Sequence, residues 1–116
     1  MSLAAYQRTR AIAETPREAE YRLMSQITGD MINARDSGLK GVALMPALGR
    51  NREAWIAFST ACGAPGNQLP DQLRANIISI ALWVERYTSD VVTGRDSIED
   101  LITVNKAIIE GLNEGI

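Results

Sequence analysis

The sequence predicts an all-α protein, a small helical bundle of four main helices plus a short N-terminal helix. Two helix-start signatures, Thr15-Pro16-Arg17-Glu18 and Asp96-Ser97-Ile98-Glu99-Asp100, place a capping side chain just ahead of an acidic residue that can complete the cap. After both, apolar residues recur three and four positions apart, the spacing of one helix face. Only Ile77 to Val84 is apolar enough for a buried strand, and the chain offers no convincing second strand to pair with it.

The first segment, Leu3 to Ala13, sets Leu3, Tyr6, Arg10 and Ala13 on one side. Its periodicity is poor, and isolated helices shorter than about 12 to 15 residues are marginal in water, so residues 1–14 are expected to dock loosely on a single helical domain spanning 1–116. The second helix starts with Thr15 as cap, Pro16 in the first helical position and Glu18 reaching back. Leu23, Ile27, Met31 and Ala34 give it an apolar stripe that Tyr21, Met24 and Ile32 widen, and Ser37-Gly38 should end it. Gly29 inside it costs about 1 kcal/mol relative to alanine, and marks a kink, a close helix crossing or a tolerated exposed position.

Leu39 to Met45 has no clear pattern. Pro46 begins a helix that runs to Ala61 or Cys62, with Gly63 just beyond. Gly49 is a possible break, and Asn51 would then cap the second piece. Trp55, Ile56, Phe58, Ser59 and Cys62 are expected on its buried side. Gly63-Ala64-Pro65-Gly66-Asn67 is a turn.

Pro70 opens the long helix that Gly94 should terminate, and Ile77-Ile78-Ser79-Ile80-Ala81-Leu82-Trp83-Val84 makes it apolar on nearly every side. Such a circumference has to be covered, so this helix is either the axis of the bundle or a docking surface. In the last helix Ile98, Leu101, Ile102, Asn105, Ile108, Ile109 and Leu112 share a face. Asn105 within that face reads as a buried polar residue that fixes helix register.

Composition narrows the function. A chain of 116 residues with 46% hydrophobic and 22% charged residues is globular and sized for one core. The net charge of -2 gives no general attraction to phosphate. The chain has no histidine, which removes the commonest general base and metal ligand. Glu99 and Asp100 are adjacent and splay apart on a helix, so they do not converge for acid and base work. Zinc spacing, phosphate loop and nucleophile elbow are all missing from the sequence. The expectation is a binding protein, not an enzyme, with no cofactor and no metal. One cysteine, Cys62, is compatible with a reducing compartment, and without a signal peptide or membrane span the protein is placed in the cytoplasm.

Several blocks resemble one family. They are Ala5-Tyr6-Gln7-Arg8, Pro16-Arg17-Glu18-Ala19-Glu20-Tyr21-Arg22-Leu23 and Asn51-Arg52-Glu53-Ala54-Trp55, then Asn67-x-Leu69-Pro70-Asp71-x-Leu73-Arg74 with Ile78 to Val84, and finally Leu101-Ile102-x-Val104-Asn105-x-x-Ile108-Ile109-Glu110-Gly111-Leu112. In order and spacing they resemble the FlaF family of flagellar biosynthesis regulators, across almost the whole chain. The resemblance implies a regulatory, chaperone-like role in flagellin production and export in flagellated alphaproteobacteria. Flagellin is the implied partner, with FlbT, a regulator acting on flagellin messenger RNA, as another. It brings no catalytic residue and no defined binding site.

The partner-binding candidates are Tyr6, Arg8, Arg10, Trp55, Leu69, Arg74, Trp83 and Tyr87. For both tryptophans a place in the core competes with a role as exposed anchor. Arg8, Arg10, Arg17 and Arg22 make the N-terminal part basic, but Glu14, Glu18 and Glu20 dilute the patch, so a solvated face outweighs direct RNA contact. Cys62 reads as a small buried apolar residue. The function these features support is surface occlusion, in which the long helix and its neighbours cover an amphipathic segment of flagellin. The alternative is post-transcriptional control of flagellin messenger RNA, with FlbT or on RNA directly.

Overall fold

The computed structural model describes residues 2–5 and 15–113. Residues 3–5 are helical, and four longer helices follow: α1 (Pro16–Asp36), α2 (Met45–Gly63), α3 (Asp71–Val92) and α4 (Glu99–Asn113). A 3-10 turn, Gly41–Leu44, leads into α2. The described residues contain no strand, so Ile77 to Val84 is helical. The candidates Tyr6, Arg8 and Arg10 lie outside the described residues.

Local chemistry sets the helix ends. Thr15 Oγ1 accepts from the Glu18 N–H at 3.1 Å and Glu18 Oε2 accepts from the Thr15 N–H at 3.4 Å, both arms of a capping box. At the other end of α1, Gly38 adopts φ 74°, the Leu39 N–H donates to Ala34 O at 3.1 Å and the Gly38 N–H donates to Arg35 O. Helix α3 ends the same way, with Gly94 at φ 79° and the Arg95 N–H donating to Asp90 O at 2.8 Å. Both stops are Schellman motifs, in which a left-handed glycine turns two orphan carbonyls onto following amides. Ser97 Oγ accepts from the Glu99 N–H and starts α4.

Side-chain hydrogen bonds hold the turn between α2 and α3. Asn67 Nδ2 donates to Ala61 O, and Asn67 Oδ1 accepts from the Leu69 N–H, so the side chain ties the loop to the end of α2 while bending it toward Leu69. Leu69 is buried and anchors the loop to the core. Pro70 is the cap of α3, one residue before its first helical position.

Helix α4 packs on α1 and also reaches α2 through Asn105 and α3 through Asp100. Helix α2 packs most extensively on α3, and α1 packs on both α2 and α4. The result is a slab of 44 × 40 × 21 Å. Its buried apolar side chains form one cluster, with Trp55, Met31, Leu48, Ile77, Leu101 and Val84 among those fully enclosed.

Some alternatives are resolved and some expectations corrected. Gly49 does not split α2, because a lone helical glycine costs only about 1 kcal/mol and the tertiary face on either side of it is continuous. Asn51 is therefore no cap and lies wholly inside. The buried face of α1 runs through Met24, Ile27, Thr28, Met31 and Ala34, a rotation that leaves Leu23 42% exposed and Tyr21 outside. Gly29 makes no close crossing, since a Cβ placed there meets nothing within 4 Å. Ile56 likewise faces out, while α2 buries Leu48, Asn51, Trp55, Phe58 and Cys62. Helix α3 has one buried face, Ile77, Ala81, Val84, Tyr87 and Val91, and is not enclosed all round.

Candidate functional site

Two arrangements stand out, one interior and polar, one exterior and apolar. In the interior, Trp55 Nε1 donates to Asn105 Oδ1 at 2.9 Å. An indole nitrogen is only a donor, so the oxygen of Asn105 must face it and the amide nitrogen is turned the other way. That nitrogen donates to Thr28 Oγ1 at 3.0 Å and to Asn51 Oδ1 at 2.8 Å. The Thr28 hydroxyl in turn donates to Met24 O at 2.7 Å. Residues from α1, α2 and α4 thus share one buried network around Asn105, as a register-fixing role requires. Asn51 Nδ2 is buried without a hydrogen-bond partner among the described residues.

Trp55 is therefore a core residue whose polar atom is already used, and it presents nothing to a partner. Leu69 is interior as well. Tyr87 is buried with its hydroxyl 2.9 Å from both Ser97 O and Asp100 Oδ2, pinning the start of α4 to α3. Burial first, and then the Asp100 carboxylate, push its phenol up to about 12. Trp83 stacks on Tyr87 with ring centroids 4.6 Å apart and is only partly covered. Arg74 is half-buried and pairs with Asp71 one turn back. The structure does not bring these candidates into one patch. Burial raises the Cys62 thiol, with Glu20 adding to the effect, which suits an inert core residue.

The exterior arrangement is one that sequence reasoning only outlined. Along the seam of α2 and α3, Met45, Ile56, Ile78 and Leu82 are 50%, 44%, 37% and 56% exposed. The ion pair Arg52 Nη2–Glu85 Oε1, at 3.4 Å, marks how the two antiparallel helices match. Ile56 is one turn beyond Arg52, Leu82 one turn before Glu85 and Ile78 a turn before that, so all three fall on one side of the pair. On the other side Met45, Thr88, Ser89, Val92 and Thr93 line a depression of about 330 Å³ that reaches the pair itself. The surface is an apolar stripe with a charged pair across its middle. The signal for it in the sequence was the excess of apolar residues on α3. What the sequence lacked was the orientation of Ile56.

No three metal-ligating side chains converge among the described residues, and none of the described helices is long and apolar enough to cross a membrane. The family model of the flagellar protein FlaF matches residues 2–112. The chain belongs to the FlaF family. Its role is accordingly flagellar. The search of curated proteins finds no match to this FlaF-family chain. Nor does any solved structure match it.

Proposed function

We propose that this FlaF-family protein is a cytoplasmic, flagellin-directed export chaperone or adaptor, one that promotes flagellin synthesis and secretion by protein binding and not by catalysis. The observation that carries the reading is the exposed stripe of Met45, Ile56, Ile78 and Leu82 along α2 and α3. Apolar side chains that line up at helical spacing on two adjacent helices are what an amphipathic helix lays its own apolar face against. Flagellin ends are expected to supply such helices, and covering them keeps them from associating before export.

Pull-down with purified flagellin tests this, using Ile56→Asp and Leu82→Asp singly and together. Both side chains are exposed, so the variants should keep the wild-type helix content while retaining little flagellin. Capture by the double variant at the wild-type level, or no capture by the wild-type protein, overturns the proposal.

The RNA alternative gains no support from the arrangement of charge. Arg17, Arg35, Arg50, Arg52, Arg74 and Arg95 each lie against a carboxylate of Glu20, Glu99, Asp30, Glu85, Asp71 and Asp90 respectively. Phosphate would have to displace these partners.

A further inference from the structure

We infer that the α2/α3 face is built for a partner helix that carries an uncharged carboxamide, Asn or Gln, midway along its apolar stripe, received jointly by Arg52 and Glu85. This deepens the docking reading above and rests on it.

Val92 and Ile78 each lie seven residues from Glu85, so at 1.5 Å per residue the pair is about 10 Å from either apolar end of the face. Met45 lies the same distance before Arg52 on α2. A helix lying along the seam and reaching both the 330 Å³ depression beside Met45 and Val92 and the ridge of Ile56, Leu82 and Ile78 has to pass over Arg52 and Glu85. It cannot use both ends and avoid the middle.

In the free protein the pair is a surface ion pair with both side chains about half exposed, and water serves whatever the pair does not. Its single contact is long, 3.4 Å between Arg52 Nη2 and Glu85 Oε1. The remaining guanidinium N–H groups and the second carboxylate oxygen have no other partner among the described residues. Once a helix covers them they lose their water, and charged groups covered without replacement hydrogen bonds are costly. The covering residue therefore has to both accept and donate. A carboxylate accepts from Arg52 but repels Glu85. An ammonium does the reverse, and an apolar side chain serves neither. A hydroxyl must accept and donate from one atom, whereas a carboxamide accepts from the guanidinium through its oxygen and donates to the carboxylate through a separate nitrogen, so it spans the two charges. The pair thus adds selectivity to a surface whose apolar ends would accept any amphipathic helix.

The test is a set of synthetic helical peptides of about 15 residues, with apolar residues placed roughly seven positions to either side of a central position and one turn inside those. They differ only at the centre, which is Gln, Glu, Lys or Leu, and each is titrated against the full chain by fluorescence anisotropy. The Gln peptide is expected to bind about tenfold tighter than the other three, a gap of about 1.4 kcal/mol. In the double variant Arg52→Met with Glu85→Leu, whose helix content is checked by circular dichroism, the order should invert in favour of the Leu peptide. Overturning results are a Leu, Glu or Lys peptide that matches the Gln peptide on the wild type, an order unchanged in the double variant, or no binding by any peptide. The outcome separates from that of the flagellin reading. Peptides ranked as expected while flagellin capture ignores Ile56→Asp and Leu82→Asp leave the chemistry of the face standing without flagellin as its occupant, whereas flagellin capture lost in those variants with no carboxamide preference removes this inference alone.

Discussion

The indole N–H of Trp55 on α2 is satisfied by the side-chain oxygen of Asn105 on α4, 2.9 Å away and 50 residues later in the chain. Trp55 and Asn105 are both fully buried, and neither has water to fall back on.

Removing the acceptor should therefore be expensive. Asn105→Leu strands the Trp55 N–H and the Asn51 oxygen together and is expected to lower unfolding free energy by about 2–4 kcal/mol, as read from urea denaturation. Trp55→Phe alone removes the donor as well as packing volume. If the bond matters as described, the double variant loses at least about 1 kcal/mol less than the sum of the two single losses.

Tyr87 sets an alkaline limit. Its phenol ionises at about 12 in the folded protein, above the ordinary 10.0, because burial and the Asp100 carboxylate disfavour the phenolate. The unfolded chain therefore gives up this proton first. The stabilisation is fully present below about pH 10 and is lost as pH rises toward and through 12. Tyr87→Phe cannot ionise, so the difference in stability between wild type and variant should shrink between pH 9 and pH 11.5 (roughly the span of that titration) in paired denaturation curves. A constant difference across that range contradicts the assignment.

The helix glycines divide by conformation. Gly29 has nothing within 4 Å of an added Cβ and ordinary helical φ, so Gly29→Ala should raise stability by about 0.5–1 kcal/mol. Gly94 has equal space but φ 79°, where alanine is strained, and Gly94→Ala should lower stability by about 1 kcal/mol. Thermal melts of the two variants should move in opposite directions.

Salt discriminates the proposed apolar contact from nucleic-acid binding. Flagellin capture should change little as salt is raised several-fold over the physiological range, whereas phosphate contacts would weaken by orders of magnitude. A steep salt dependence of capture would count against the apolar stripe as its source.

Much of the fold was legible because its signals are local. Thr15, Glu18, Gly38, Gly94 and Ser97 act within five residues of themselves, and each does in the structure what its position in the sequence implies. The candidate surface was legible only as an excess of apolar residues on one helix. Which of them face outward depends on how α2 and α3 rotate against each other, and Leu23 and Ile56 were misplaced for that reason. Asn51 could be a cap only if Gly49 broke the helix, and nothing local points to its real partner, which is 54 residues away. Asn105 could be recognised since it interrupts a strictly apolar face, though nothing in its neighbourhood names Trp55 or Thr28.

Helix α1 is covered by α4, and Thr28 meets Asn105 across 77 residues of sequence. A chain emerging from the ribosome thus makes α1, α2 and α3 before the helix that completes their interior exists. Until α4 clears the exit tunnel, Trp55 has no acceptor and one flank of α1 stays wet, so folding of this protein waits for nearly the last of its described residues to be synthesised. Premature termination before Asn105 then yields a product with an open core, which the cell's proteases can recognise and clear.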